Sequence, residues 1–267
     1  MLITFIGGGN MATALISGLV NPPRAHIKIR VSDPNEEARL HLEKTFQVPT
    51  YTDSTAAVDG ADVILLAVKP QIMSEVLRQL DGFIKPGQLV LSIAAGTTIS
   101  MIRGQLGEDI NVVRSMPNTP ALIGHGITGI VAGENCSKLQ RQQAEEILMA
   151  AGDVVWLDKE SLMDAVTAIS GTGPAYFFLL TEVLADTARE MGLPDDTADR
   201  LASVTAFGAG AMLATSPGEA AELRRRVTSP NGTTQAAMEL LTGEGYRELV
   251  KRAAEAARKR SRELSGE

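Results

Sequence analysis

Cysteine, histidine and aromatic side chains are scarce in this chain, which has one cysteine, three histidines and 4% aromatics in 267 residues. A lone Cys136 excludes a disulfide framework and a cysteine-based metal site, and it fits a reducing compartment. His26 and His41 stand at surface-like positions and His125 lies in a loop between Gly124 and Gly126, so there is no H-x-x-x-H pair. With no carboxylates clustered at ligand spacing, a metal enzyme is not expected. The G-x-S-x-G elbow of a serine hydrolase is missing as well. Positive charge is also short: the formal net charge is −7, the wrong sign for a nucleic-acid surface. Arg224-Arg225-Arg226 is basic only locally, and Lys251 to Arg262 is interleaved with Glu and Ala like the solvated face of a helix. No apolar run reads as long enough to span a membrane, and the N-terminus lacks a signal peptide's basic start and cleavage site. The expectation is a cytoplasmic protein with neither nucleic acid nor membrane as partner.

What is present begins at the first residues. Leu2 to Ile6 is an apolar run of strand length, followed by Gly7-Gly8-Gly9-Asn10-Met11-Ala12 and then the helical pattern Ala14, Leu15, Gly18, Leu19. That is G-x-G-x-x-A at a strand-to-helix corner, the form of a dinucleotide site. Gly7 permits the tight turn, Gly9 the close approach of a pyrophosphate, and Ala12 the packing of helix on sheet. The helix N-terminus offers free amides to the phosphates. A second strand, Ile27 to Val31, ends on Ser32-Asp33, where a ribose would sit. An ordinary glycine-rich turn is the competing reading, and the strand and helix context weighs against it.

The length fits one large or two modest domains. The first half alternates short β-rich runs with helical patterns, the sign of a parallel sheet with crossover helices. After the first two strands come a helix over Asn35–Thr45 and strands near Val48–Tyr51, Ala61–Val68, Gln88–Ile93, Asn111–Ser115, Ile127–Ala132 and Val154–Leu157. From about Glu160 strand signals vanish. The expected division is a Rossmann-type domain over 1–158 and an all-helical domain over 159–267. Within the latter, Ala175–Met191 is apolar nearly all round and Thr197–Ala214 is rich in Ala and Gly. Ser216-Pro217-Gly218-Glu219 has the form of a capping box. So much apolar helix surface calls for a partner, and a dimer of two such chains is the simplest one.

Three loops rich in hydroxyls and glycine remain: Ala94 to Thr98, Ser170-Gly171-Thr172-Gly173-Pro174, and Thr228 to Thr234. The last two look like anion sites, with exposed amides, hydroxyl donors and a helix N-terminus. Plain helix capping is the alternative for either alone.

These segments carry a family resemblance. Ile6-Gly7-Gly8-Gly9-Asn10-Met11-Ala12, Ala67-Val68-Lys69-Pro70-Gln71, Ser92-Ile93-Ala94-Ala95-Gly96 and Arg114-Ser115-Met116-Pro117-Asn118-Thr119-Pro120 belong to it. So do Asp164-Ala165-Val166-Thr167, Ser170 to Tyr176 and Val227-Thr228-Ser229-Pro230-Asn231-Gly232-Thr233-Thr234. In order and spacing, over nearly the whole chain, they resemble pyrroline-5-carboxylate reductase. The resemblance implies reduction of a cyclic imine to L-proline by NADPH or NADH, and an intertwined homodimer, often assembled further. It implies cofactor contacts at Gly7, Gly8, Gly9, Asn10, Met11, Asp33, Asn35, Ser54, Ala67, Val68, Lys69, Pro70, Ala95, Pro117 and Asn118. Ser229, Gly232, Thr233, Thr234 and Thr172 would bind substrate, and Thr234, Thr167 and Ser170 would carry catalysis. A cyclic imine is basic enough to be partly protonated near neutral pH, so orientation and one hydrogen bond to its nitrogen replace a strong acid.

Three departures are local. Ser54 stands where the family commonly has Asn, Asn231 where it often has Gly, and Ser32-Asp33-Pro34-Asn35 lacks the Arg that often marks 2′-phosphate binding. Both nucleotides are expected to serve, with NADPH modestly favoured. Two other functions compete. A β-hydroxyacid dehydrogenase would carry a catalytic lysine on its long second-domain helix, and Ala175–Met191 has none. A non-catalytic redox sensor would not need the intact Thr228–Thr234 loop.

Overall fold

The computed structural model describes residues 1–266, in two compact units: Met1–Thr172 with the chain from Ala257 onward, and Gly173–Ala256. The first unit is built on an eight-stranded sheet: β1 (Leu2–Ile6), β2 (Lys28–Ser32), β3 (Thr50–Tyr51), β4 (Val63–Leu66), β5 (Leu89–Ser92), β6 (Asn111–Met116), β7 (Gly126–Ala132) and β8 (Gly152–Trp156). Their spatial order is β3-β2-β1-β4-β5-β6-β7-β8. The first six are parallel, whereas β7 runs antiparallel to β6. An all-parallel sheet, the plainest reading of the sequence, fails at that one place for a steric reason. The link Pro117–His125 is shorter than the dozen or more residues a parallel crossover needs.

Helices cover both faces: α1 (Asn10–Val20), α2 (Glu36–Phe46), α3 (Ser54–Val58), α4 (Pro70–Leu80), α5 (Ile99–Leu106) and α6 (Lys138–Leu148). Every residue of β4 and β5 is buried, as expected of strands covered on both sides. Alternation splits them between two cores. Leu65 and Leu91 join Phe5, Leu15 and Leu19 on one face, while Ile64, Leu66 and Val90 join Ile6, Leu77 and Ile102 on the other. Each of these large side chains contributes about 1.5–3 kcal/mol on burial. Closest of all is α1 against the turn after α6, where a Cβ on Gly18 would lie 1.8 Å from the Ala150 carbonyl oxygen.

The segment after β8 stays with the first unit. It forms a turn over Glu160–Leu162, α7 (Met163–Val166) and a π-turn over Thr167–Gly171. Buried Arg114 of β6 donates to Glu160 Oε1 at 2.9 Å, an oxygen that also takes the amide of Ile99 at 2.9 Å. Met163 is fully buried, and Val166 fills the space above Gly129. Strand signals therefore end near Asp158, but the compact unit ends at Thr172, because these contacts are long-range and leave no local mark.

In the second unit α8 (Gly173–Glu190) and α9 (Asp195–Thr215) form a hairpin, followed by α10 (Ala220–Arg226) and α11 (Thr233–Gly243). Arg189 closes the hairpin, donating to Asp186 at 2.6 Å and to Asp199, and these carboxylates push its pKa up. Ser216 opens no helix: it is the C-cap of α9, its amide donating to the Met212 carbonyl, and α10 begins only at Ala220. Gly218 intervenes with φ +115°, outside helical space. Most large apolar residues of α8 and α9 are bare within one chain, Phe177 62%, Phe178 65% and Phe207 73% exposed, while only small ones such as Ala185, Ala198 and Ala202 are buried. Glu160–Glu190 is, by length and composition, apolar enough to cross a membrane, which corrects the sequence reading that no run is. The discrepancy arises because α7, the π-turn and α8 join into one helical run. Finally α12 (Tyr246–Ser265) begins in the second unit and ends in the first. There Ser261 donates to the buried Asp164 carboxylate at 2.6 Å, and Leu264 presses on Gly96, whose φ is +71°.

Candidate active site

The order β3-β2-β1-β4-β5-β6 reverses direction between β1 and β4, and ligands of such sheets bind beyond the carboxyl ends of the strands at that switch. Gly7 leaves β1 there with φ +101°, and a Cβ on it would meet the Ala67 carbonyl oxygen at 2.6 Å. Gly9 has open space in front of its missing side chain and serves as the N-cap of α1 without any side-chain cap. The first backbone bond within the helix runs from Thr13 to Gly9, so the amides of Asn10, Met11 and Ala12 find no partner among the described residues. Open space in front of free, positively polarised amides is what a pyrophosphate requires.

At the outer edge the carboxylate of Asp33 is turned back into this loop. Its Oδ2 takes the Gly8 amide at 2.7 Å and its Oδ1 the Asn35 amide at 2.8 Å. Asn35 caps α2, its Oδ1 accepting the Ala38 amide at 3.1 Å. Ser32 and Ser54 share a hydrogen bond of 3.0 Å. Next to Ser54, Asp53 caps α3, and the amide and hydroxyl of Thr55 hold its carboxyl below the usual carboxylate range. A residue missed by the sequence reading completes the corner. Arg39, on the second turn of α2, donates Nη1 to the carbonyls of Asp33 at 2.8 Å and Pro34 at 3.0 Å. No arginine stands within Ser32–Asn35, and this one reaches the same turn from the helix that follows it.

Toward the inner end, Ala67 and Val68 leave β4 half-buried, and exposed Lys69 caps α4 ahead of Pro70. Ala95 follows β5 and Pro117 follows β6, on the same edge of the sheet. Asn118 is engaged at both ends of its amide: its Nδ2 donates to the Ser170 carbonyl at 3.1 Å and its Oδ1 accepts the Ile127 amide at 3.0 Å. It positions the π-turn. Single π-turns inside helices are frequent at functional sites. The hydroxyls here are engaged as donors, Thr167 to the Met163 carbonyl at 3.0 Å, Ser170 to Val166 at 3.0 Å and Thr172 to Thr167 at 2.9 Å. Each keeps its oxygen lone pairs as acceptors.

The second unit presents the loop Ser229–Gly232. Asn231 sits at φ +59°, a left-handed conformation that asparagine tolerates, so it stands in for glycine. Its amide donates to Gln235 Oε1 at 2.7 Å, and the Gly232 amide to the Ser229 carbonyl at 3.0 Å. Gly232 then opens α11 as an N-cap with no side-chain cap. Elsewhere in this unit Thr181, Thr187, Ser203, Thr215, Thr228 and Thr242 donate to carbonyls of the preceding helical turn. The hydroxyls of Thr233 and Thr234 make no hydrogen bond among the described residues, nor do their amides. No histidine enters either half: His26 pairs with Glu146 at 2.8 Å on the surface, and His41 and His125 are exposed. Nor does α8 hold a lysine.

Comparison with known proteins agrees with this geometry. The family model described as pyrroline-5-carboxylate reductase dimerisation matches residues 160–264, and one described as NADP oxidoreductase, coenzyme F420-dependent, matches residues 2–96. The pyrroline-5-carboxylate reductase of Pseudomonas aeruginosa is 47% identical over 98% of this chain and 96% of its own. The solved structure of the Coxiella burnetii enzyme superposes with a TM-score of 0.93 at 38% identity, covering 98% of each chain. That of Plasmodium falciparum pyrroline carboxylate reductase, with NADP bound, superposes at 0.86 and 28% identity over 99% of this chain and 98% of its own. A Rossmann-type dinucleotide unit, a helical unit matching a dimerisation model and full-length identity of this order place the chain in the pyrroline-5-carboxylate reductase family.

Proposed function

We infer that this chain reduces 1-pyrroline-5-carboxylate to L-proline, using NADPH or NADH. The observation that carries the reading is the idle N-terminus of α11, where two amides and two hydroxyls of Thr233 and Thr234 stand without partners among the described residues. An N-terminus of this kind favours a carboxylate, the anionic group of the substrate. We assign Ser229, Gly232 and Thr233 to that carboxylate, and the Thr234 hydroxyl to the imine nitrogen. Thr167, Ser170 and Thr172 offer acceptor lone pairs to a protonated imine, since their own protons are engaged with carbonyls.

When bound, the reduced nicotinamide supplies the electron pair and hydrogen that the imine carbon accepts. The amides at the start of α1 hold its pyrophosphate. Ala67, Val68, Lys69, Ala95 and Pro117 bound its inner end. Because the protonated imine is already electrophilic, this chain's contribution is orientation and a preorganised acceptor for the imine N–H rather than a strong acid. The bare faces of α8 and α9, together with the match to a dimerisation model, support a homodimer in the cytoplasm, with dimers able to assemble further. The helical unit, taken as 159–267, then carries both assembly and substrate binding.

Steady-state assays with NADPH and NADH side by side test the reading. Cofactor oxidation that depends on 1-pyrroline-5-carboxylate and yields proline is expected. Turnover of a β-hydroxyacid instead, or cofactor binding with no turnover, would refute it.

A further inference from the structure

The corner beyond β2 and β3 has an unusual charge arrangement. Asp33, Glu36, Glu37 and Asp53 supply four carboxylates between Ser32 and Thr55 at the carboxyl ends of these strands and the first turn of α2. Two arginines lie near them: Arg30 of β2 stacks over Tyr51 and donates to the Asp59 carbonyl, and Arg39 reaches the turn from α2. In a sheet of this order the adenosine ribose sits at that corner, where an acidic residue reads a free diol or an arginine accommodates a 2′-phosphate. The Asp33 carboxylate is drawn into the glycine loop by the Gly8 and Asn35 amides. Arg39 is fixed by Nη1 on the Asp33 and Pro34 carbonyls, and its Nε and Nη2 have no partner among the described residues. A guanidinium held at one end over the ribose turn, with its other donors spare, is a preformed phosphate fork.

We propose that Arg39 is the residue that grips the 2′-phosphate of NADPH and sets the nucleotide preference of this chain. The proposal rests on the dinucleotide reading above and adds to it the group that discriminates. Carboxylates outnumber arginines at the corner, and Arg30 is drawn away to Tyr51 and the Asp59 carbonyl, so loss of Arg39 weakens the attraction for a phosphate dianion. The Ser32–Ser54 pair adds a hydroxyl proton, because only one of the two hydroxyls donates within the pair.

Calorimetric titration of the full chain with adenosine 2′,5′-bisphosphate, adenosine 5′-monophosphate, NADPH and NADH tests this without turnover. Arg39→Gln is expected to weaken the bisphosphate and NADPH by about 10- to 100-fold, the worth of a charge-assisted pair. The monophosphate and NADH should stay within about twofold, as for a surface change away from their contacts. Arg39→Lys, which keeps the charge and loses the fork, should recover part of the loss and serves as the measurement if Arg39→Gln fails to fold. Equal weakening of all four ligands would make Arg39 a mere brace of the turn and overturn the proposal alone. Wild-type protein that binds neither dinucleotide would overturn the cofactor reading beneath it.

Discussion

Replacing Thr234 with alanine separates a catalytic hydroxyl from a structural one. Thr234 is the second residue of α11, half-buried, and its hydroxyl bonds to nothing among the described residues. The cap of this helix is Gly232, which has no side chain to lose. Removing the hydroxyl therefore breaks no intramolecular bond, and stability should stay within about 0.5 kcal/mol of wild type. Turnover should respond quite differently. A preorganised hydroxyl whose oxygen accepts the N–H of the reacting, protonated imine contributes about 2–4 kcal/mol to transition-state stabilisation. At about 1.4 kcal/mol per decade, kcat should fall roughly 30- to 1000-fold. Cofactor affinity should not move, because Thr234 belongs to the unit without the glycine loop. Thr234→Ser restores the oxygen and should restore most of kcat. The measurements are kcat, Kd for NADPH and Tm on the same preparations. A variant with normal kcat refutes the assignment, and a lower Tm with normal kcat would show that the hydroxyl stabilises the helix start.

Three further perturbations probe the scaffold. Gly18→Ala puts a methyl 1.8 Å from the Ala150 carbonyl oxygen, so α1 must move off the turn after α6; a loss of about 1–3 kcal/mol, read as a lower denaturant midpoint, is expected. Asn118→Ala strands the Ile127 amide and the Ser170 carbonyl, costing about 1–3 kcal/mol in the same assay, and an unchanged midpoint would mean water fills the gap at no cost. Burial pushes the Cys136 thiol up from its ordinary range, and its Sγ donates to the Val112 carbonyl at 3.2 Å. The native protein should resist alkylation through the ordinary thiol range and label on unfolding. The sign on stability follows: the unfolded thiol ionises first, so this site's contribution is lost as pH rises through that range, and Cys136→Ala should flatten the alkaline decline.

Most of the sheet could be read directly from the sequence. Fully buried strands are continuous apolar runs, and β4 and β5 fall inside Ala61–Val68 and Gln88–Ile93 with trimmed ends. The glycine loop was equally plain, because each of its small residues answers a separate steric demand. What stayed hidden depends on contacts distant in sequence. Arg114 and Glu160 meet across 46 positions, and that pair keeps the segment after β8 with the first unit. Ser261 and Asp164 meet across 97 and bring the end of α12 back to it. No local period records either. Ser216-Pro217-Gly218-Glu219 misled for the opposite reason: its residue types satisfy a capping rule, but the positive φ of Gly218 breaks the geometry the rule assumes.

The candidate site repeats this division at the scale of single atoms. Sequence identifies which segments hold hydroxyls and carboxylates, and a family resemblance identifies which of them to watch. Neither says whether a given donor is already engaged. Thr167, Ser170 and Thr172 look like Thr233 and Thr234 on paper, yet the first three spend their protons on carbonyls and the last two do not. Asp33 looks like a ribose acceptor, yet two backbone amides hold it in the glycine loop, while Arg39 reaches the same turn from one helical turn further along. Function at such a site is carried by groups the fold leaves unpaired, since a buried polar group gains most from the partner it lacks. That is why the idle start of α11 and the spare half of one guanidinium carry the reading further than any count of matching residues.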